Sequence, residues 1–169
     1  MNLEEMSTQM SDRPDVLNTN PLRITRIHDM IFNHSYGKID KFFKGVVEGK
    51  LYATKCNQCN KVFVPPRADC PFCMADLTSN WIELPKECEL HTFSVLHFAG
   101  PTFFKDLPFI LGLAKWPNVD TYLMARIREV KPEDVHIGMK LKVKFAEPHR
   151  RTWTVLDFWY EPAEQETRK

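Results

Sequence analysis

Lysine and apolar residues alternate without a break through Lys140, Leu141, Lys142, Val143, Lys144 and Phe145. Successive side chains of a strand point to opposite faces, so this run predicts a strand with one wet lysine face and one buried apolar face. Period-two or aromatic-rich runs over residues 89–98, 109–116, 121–128 and 152–160 predict four more strands. Turn chemistry separates them at Gly100-Pro101, Pro117-Asn118, Lys131-Pro132 and Glu147-Pro148. Five short strands in succession predict a small antiparallel barrel of the OB-fold kind, with the strand order left open by periodicity alone.

The amino-terminal part has a different period. Ile39, Phe42, Phe43, Val46 and Val47 fall at i, i+3, i+4, i+7 and i+8, Asp40 and Lys44 stand four apart, and Gly49 suits a helix C-terminus. Ile24, Ile27 and Ile31 predict an earlier helix that stops within residues 33–37. The stripe on the second helix suits packing on its own protein, and it also suits docking on another subunit. Residues 1–20 are polar and aperiodic, the pattern of a flexible tail.

Composition narrows the classes. The 169 residues carry 23 Lys+Arg against 22 Asp+Glu, a net charge of +1. That balance argues against a dedicated nucleic-acid binder, which clusters cations to neutralise phosphates. Apolar runs such as residues 109–114 fall far short of the roughly 18 residues that would cross a bilayer. The first twenty residues lack the basic start and apolar run of a secretory signal, so the expected location is cytoplasmic, with no membrane partner.

Five cysteines in such a compartment point to metal ligands or free thiols. Four of them form two knuckles, Cys56-Asn-Gln-Cys59 and Cys70-Pro-Phe-Cys73, ten residues apart. Each two-residue spacer lets both sulfurs reach one tetrahedral ion, so the pattern predicts a four-thiolate zinc site, Cys56, Cys59, Cys70 and Cys73. Spacing leaves open an iron centre with the same ligands, or a pair of redox dithiols. A site closed by four cysteines offers no position for water or substrate, so its expected role is structural. Cys88 stands alone, and its nearness in sequence to His91 and His97 establishes no nucleophile–base pair. No G-x-S-x-G, Walker or G-x-G-x-x-G pattern occurs, and no catalytic residue is predicted.

Lys140, Lys142, Lys144, His149, Arg150 and Arg151 make the main positive cluster, which suits a solvated face or contact with an anion. Phe103 and Phe104 lie together between two strands, where both cannot easily turn inward, and suit an interface or an apolar lining. The aromatics Phe98, Phe103, Phe104, Phe109 and Trp116 suit core packing or, as in some OB-folds, base stacking.

The run FFKGVVEGKLYATKCNQCNKVFVPPRADCPFC over residues 42–73 resembles the opening of a known family, domain of unknown function thirty-five. Gly49-Lys50-Leu51 precedes the first knuckle and Pro65-Pro66-Arg67 the second. The similarity continues through His91-Thr92-Phe93-Ser94-Val95, Pro108-Phe109-Ile110 and Ile137-Gly138-Met139, and spans about residues 38–147. The chain departs from the family in its long N-terminus, in lacking a glycine-rich entry near residues 84–87, and in an aromatic final strand over 153–160. The resemblance implies a mainly β protein with N-terminal helices, a rubredoxin-like zinc ribbon followed by a five-stranded OB-fold barrel. The matching domains are residues 1–20 tail, 21–50 helical hairpin, 51–80 zinc ribbon, 81–162 barrel and 163–169 tail.

It also implies a non-catalytic subunit of a thiolase-type complex, expected as a heterotetramer. The catalytic Cys and His would then belong to the thiolase-fold partner, and the substrate would be a β-ketoacyl-CoA, benzoylsuccinyl-CoA among the candidates. Structural Zn2+ is the expected cofactor, and a coenzyme A thioester the ligand of the complex. Phe103, Phe104, Lys142, Lys144, Arg150 and Arg151 are the candidate contacts with acyl-CoA or partner. The alternative, from another class, is a single-stranded nucleic-acid binding module, since ribbons and OB-folds serve that role elsewhere.

Overall fold

A computed structural model describes residue 33 and residues 35–163. The predicted helix through Ile24, Ile27 and Ile31, and both tails, lie outside the described residues. Helix α1 (Asp40–Glu48) follows a short 3-10 turn over Gly37–Ile39. Its Lys44 donates to Asp40 at 2.5 Å, and that contact holds the Asp40 carboxyl below its ordinary range. Gly49 closes the helix in the left-handed region at φ 79°, its N–H reaching the carbonyls of Gly45 and Val46. Phe42 and Val46 turn inward and are buried, with the Phe42 ring edge-on to Phe158 at 6.4 Å.

Strands β1 (Leu51–Lys55), β2 (Val62–Phe63) and β3 (Trp81–Leu84) form an antiparallel sheet in the order β2-β1-β3. The barrel follows: β4 (Glu87–Leu96), β5 (Phe109–Lys115), β6 (Leu123–Ile127), β7 (Lys140–Phe145) and β8 (Phe158–Pro162). They close in the order β4-β5-β6-β8-β7, with β6 and β8 parallel through Ile127 and Tyr160 and every other pair antiparallel. That parallel contact is what periodicity could not supply, and it gives the barrel its OB-fold connectivity.

Alternation sets which side chains enter. Leu141 and Val143 are buried on β7 while Lys140, Lys142 and Lys144 stay exposed, as their spacing predicts. On β5, Ile110 and Ala114 turn in, and so does Gly112, where a Cβ would lie 2.7 Å from Ile127 and 2.8 Å from Leu90. Only a hydrogen fits there. Gly112→Ala is expected to destabilise the barrel by about 1–3 kcal/mol through overpacking, seen as a lower urea midpoint at unchanged slope.

One core runs through all three parts, joining Phe42 and Val46 of the helix, Leu51, Ala53, Val62 and Val64 of the ribbon sheet, and Leu90, Ile127, Leu141 and Tyr160 of the barrel. Hydrogen bonds reinforce this join. Asp120 accepts from the Val62 N–H at 2.8 Å and donates its own N–H to the Val62 carbonyl at 2.9 Å. Thr121 Oγ1 accepts from the Val64 N–H at 2.7 Å and donates to the Val64 carbonyl at 2.8 Å. The buried Tyr160 hydroxyl donates to the Leu123 carbonyl, and the Trp116 indole to the Pro85 carbonyl.

The predicted fifth strand over 152–160 begins later than its periodicity suggests. Residues up to 157 form a loop and a 3-10 turn, because Asp157, only 2 % exposed, draws the chain around its carboxylate. It accepts from the Thr152 N–H and hydroxyl and from the Thr154 N–H, at 2.8–3.2 Å. Thr154 in turn caps the turn, accepting from the Leu156 N–H. The spacing Thr154-Val-Leu-Asp157 is a capping-box signal, visible in the sequence beneath the aromatic pattern.

Candidate metal centre and interaction surfaces

The two knuckles are near copies of one another. In each, the first cysteine's N–H reaches the carbonyl five residues on, Cys56 to Lys61 and Cys70 to Ala75, both at 2.8 Å. In each, the residue after the second cysteine turns into the left-handed region, Asn60 at φ 58° and Met74 at φ 59°. This conformation suits asparagine and is strained for methionine. Peptide N–H groups face the sulfurs: Cys59 N–H lies 3.4 Å from Cys56 Sγ.

All four Sγ atoms lie within 4.8 Å of one another, with Cys56 to Cys73 at 3.4 Å and Cys59 to Cys70 at 3.6 Å. A tetrahedron of sulfurs about 2.3 Å from a zinc ion has edges of about 3.8 Å, so the donor set fits. The Cys59 amide holds the Cys56 thiol down to about 6. The Cys73 thiol is drawn down by the Ala75 amide, yet its nearness to Cys56, burial and the other thiols push it up to about 12. Four thiolates this close need a cation, and a divalent ion replaces their mutual repulsion with attraction. Cys56 and Cys70 are buried, and with Phe63 and Leu77 they form a small cluster apart from the main core. Packing that slight puts the stability of the knuckle end of the ribbon on the metal, while the sheet end is held by the main core.

Cys88 does not join this set. It lies on the inner face of β4, where burial foremost, then the charge of Glu87, pushes its thiol up to about 12. That is the opposite of an activated nucleophile. His91 stacks on the Tyr122 ring at 4.2 Å instead.

The six candidate contacts do not converge. Phe104 is exposed, while Phe103 is half-buried against Phe109 at 6.2 Å, with the Arg126 guanidinium 5.3 Å from its ring. One phenylalanine of the pair faces out and the other packs, as their adjacency requires. Lys142 and Arg150 are exposed, and Lys144 pairs with Glu161 at 3.6 Å. Arg151 is committed to the fold: its guanidinium donates to the Val47 carbonyl at the end of α1 and to Ala146. A cation there offsets the negative end of the helix. Lys142 sits opposite Glu87 at the start of β4, and the phenylalanine loop begins beyond Leu96 at its end, about 30 Å away along the strand. The basic residues and the phenylalanine pair therefore lie on two surfaces.

A third surface escaped the sequence reading. The loop organised by Asp157 presents Trp153, Val155 and Leu156, each at least half exposed. Trp153 holds φ 64°, and its carbonyl accepts from the Tyr36 hydroxyl at 2.7 Å. Its signal was the capping box at Thr154 and Asp157, which frees the apolar residues between them from strand alternation. Among the described residues, no helix is long and apolar enough to cross a membrane.

Two family models match the chain: the rubredoxin-like zinc ribbon domain of ChsH2 over residues 43–77, and the C-terminal OB-fold domain of ChsH2 over residues 81–146. A DUF35 domain-containing scaffold protein of Methanocaldococcus jannaschii is 30 % identical over 95 residues, covering 56 % of this chain and 67 % of the relative. Another, from Methanothermobacter thermautotrophicus, is 23 % identical over 95 residues, covering 56 % of this chain and 71 % of its own. Among solved structures, a chain of the Ltp2-ChsH2(DUF35) aldolase superposes with TM-score 0.58 at 20 % identity, covering 73 % of this chain and 93 % of that one. A DUF35 protein of unknown function from Sulfolobus solfataricus superposes at 0.57 and 20 % identity, covering 76 % and 87 %. The four clustered thiols and the zinc-ribbon match together make the metal a structural zinc.

Proposed function

The chain belongs to the DUF35 family of zinc-ribbon and OB-fold proteins, and from that premise we propose that it is a cytoplasmic, non-catalytic scaffold subunit of an enzyme complex acting on coenzyme A thioesters. The observation that carries this reading is the state of its reactive groups. Its four clustered cysteines fill a closed tetrahedral site, and its remaining cysteine is buried with its thiol held protonated. Zinc in such a site supplies folding energy and no Lewis-acid position for substrate. Cys56, Cys59, Cys70 and Cys73 would hold it, orienting the ribbon against β5 and β6 through Asp120 and Thr121.

The partner is a thiolase-fold subunit that contributes the catalytic Cys and His, in a heterotetramer, and the substrate is a β-ketoacyl-CoA, with benzoylsuccinyl-CoA as the first to test. Phe104 on one surface, and Lys142, Lys144 and Arg150 on the other, are the proposed contacts with partner or acyl-CoA. Phe103 and Arg151 hold those surfaces in place.

The test is co-purification from the native cytosol with and without nuclease, followed by mass spectrometry. A stoichiometric thiolase-fold chain, retained after nuclease, is the expected result. Nucleic acid without such a partner, bound with a steep salt dependence, would instead support a single-strand binding module.

A further inference from the structure

The outside of an antiparallel barrel is wet and its strands alternate accordingly, as β7 does with its three exposed lysines. Strand β5 breaks this rule. Ile110 and Ala114 fill its inner face, yet its outward positions are Phe109, Leu111 and Leu113, all half-buried. The register extends the apolar area to Leu96 of β4, opposite Phe109, and to Met124 of β6, 57 % exposed, opposite Leu113, while the exposed Thr92 and Ser94 of β4, opposite Leu113 and Leu111, add uncharged polar positions. A strand apolar on both faces is a strand covered on both faces.

Charge says what covers it. Arg126 and Lys115, the cations on β6 and β5 beside these leucines, are already engaged by carboxylates of the chain. Arg126, opposite Leu111, pairs with Asp106 at 2.9 Å and lies 4.4 Å over the Phe109 ring, and Lys115 pairs with Glu89 at 3.0 Å. Glu89 is shared with Lys140, and these two lysines hold its carboxyl down to about 2. A phosphate or a nucleic acid would need free cations here, and an acidic protein patch likewise. The complement of a largely apolar sheet whose cations are already paired is a largely apolar protein face.

We propose that the outer face of β4, β5 and β6, centred on Leu111, Leu113 and Met124, is where the catalytic subunit docks, through an uncharged apolar face of its own. This rests on the scaffold reading and specifies its interface. Of the two roles open to Lys142, Lys144 and Arg150, this leaves contact with acyl-CoA, so the cationic β7 face lies outside the partner interface.

The experiment uses the full chain and the catalytic subunit that co-purifies with it, each expressed and recombined, with Met124→Glu and Lys142→Glu compared. Met124 is mostly exposed, so Met124→Glu should keep zinc content and melting temperature. A charge forced into an apolar interface centre should weaken binding of the catalytic subunit by about 100-fold or more, whereas Lys142→Glu should change it less than about threefold. Equal binding by Met124→Glu, or loss confined to Lys142→Glu, overturns the assignment while leaving a scaffold subunit. Dimerisation of the isolated chain in sedimentation that Met124→Glu abolishes also overturns it, in favour of a second copy. If no catalytic subunit co-purifies, the scaffold reading itself fails.

Discussion

Cys59→Ser is expected to release the zinc and unfold the ribbon. Serine is a poor ligand for a soft tetrahedral ion, and binding at such sites is worth roughly 10–16 kcal/mol in isolated zinc modules. The knuckle end of the ribbon has little with which to compensate: apart from two of the cysteines, its cluster contains only Phe63 and Leu77 as buried side chains. The damage should also spread, because Val62 and Val64 belong to the main core and bond to Asp120 and Thr121 at the edge of the barrel. Loss of stoichiometric zinc and a fall in melting temperature of about 10 °C or more are the expected results. A strong chelator should reproduce both in the unmodified protein, and more readily as pH falls and protons compete for the thiolates. Undiminished zinc and melting in Cys59→Ser would sink the structural-metal account.

The second large effect is expected at Asp157→Ala. Its carboxylate satisfies two backbone N–H groups and a hydroxyl in a nearly closed site, so truncation leaves those donors unpaired, at a cost of roughly 3 kcal/mol. Burial raises the Asp157 pKa, but the donors from Thr152 and Thr154 outweigh it and the folded value is lowered. A lowered carboxyl pKa stabilises the fold in full above the unfolded value of about 3.9, and that stabilisation is lost as pH falls through the folded value. Denaturant melts at neutral pH and at successively lower pH read this directly. The unmodified protein should be the more stable at neutral pH and should lose its advantage in acid. A constant difference between the two across that range would contradict the assignment.

These two sites differ in how openly the sequence declares them. The zinc ligands are legible because two cysteine pairs at fixed spacing have few other uses. The exposed lysines of β7 are legible because alternation leaves no other arrangement. The pairing of β6 with β8 is not, since it joins Ile127 to Tyr160 across a separation that no local pattern records. Nor is the third strand of the ribbon sheet, Trp81–Leu84, whose four residues pair back to Leu51–Thr54. The phenylalanine pair and the basic cluster were visible as residue types, but only the fold shows that Arg151 is spent on a helix end and that Phe103 packs beside Arg126. Residues 109–114 were legible as an apolar run; that half of them face outward needed the register. Asp157 was hidden in the aromatic-rich apolar run of Trp153, Val155, Leu156 and Phe158, which imitates a strand.

Turnover of a β-ketoacyl-CoA by the recombined pair, set beside each purified chain alone, tests the scaffold claim most directly. The account predicts full activity from the pair, none from this chain alone, and a marked loss when the catalytic subunit works without it. Thioester turnover by this chain alone, or a catalytic subunit equally active and equally stable in its absence, would contradict it.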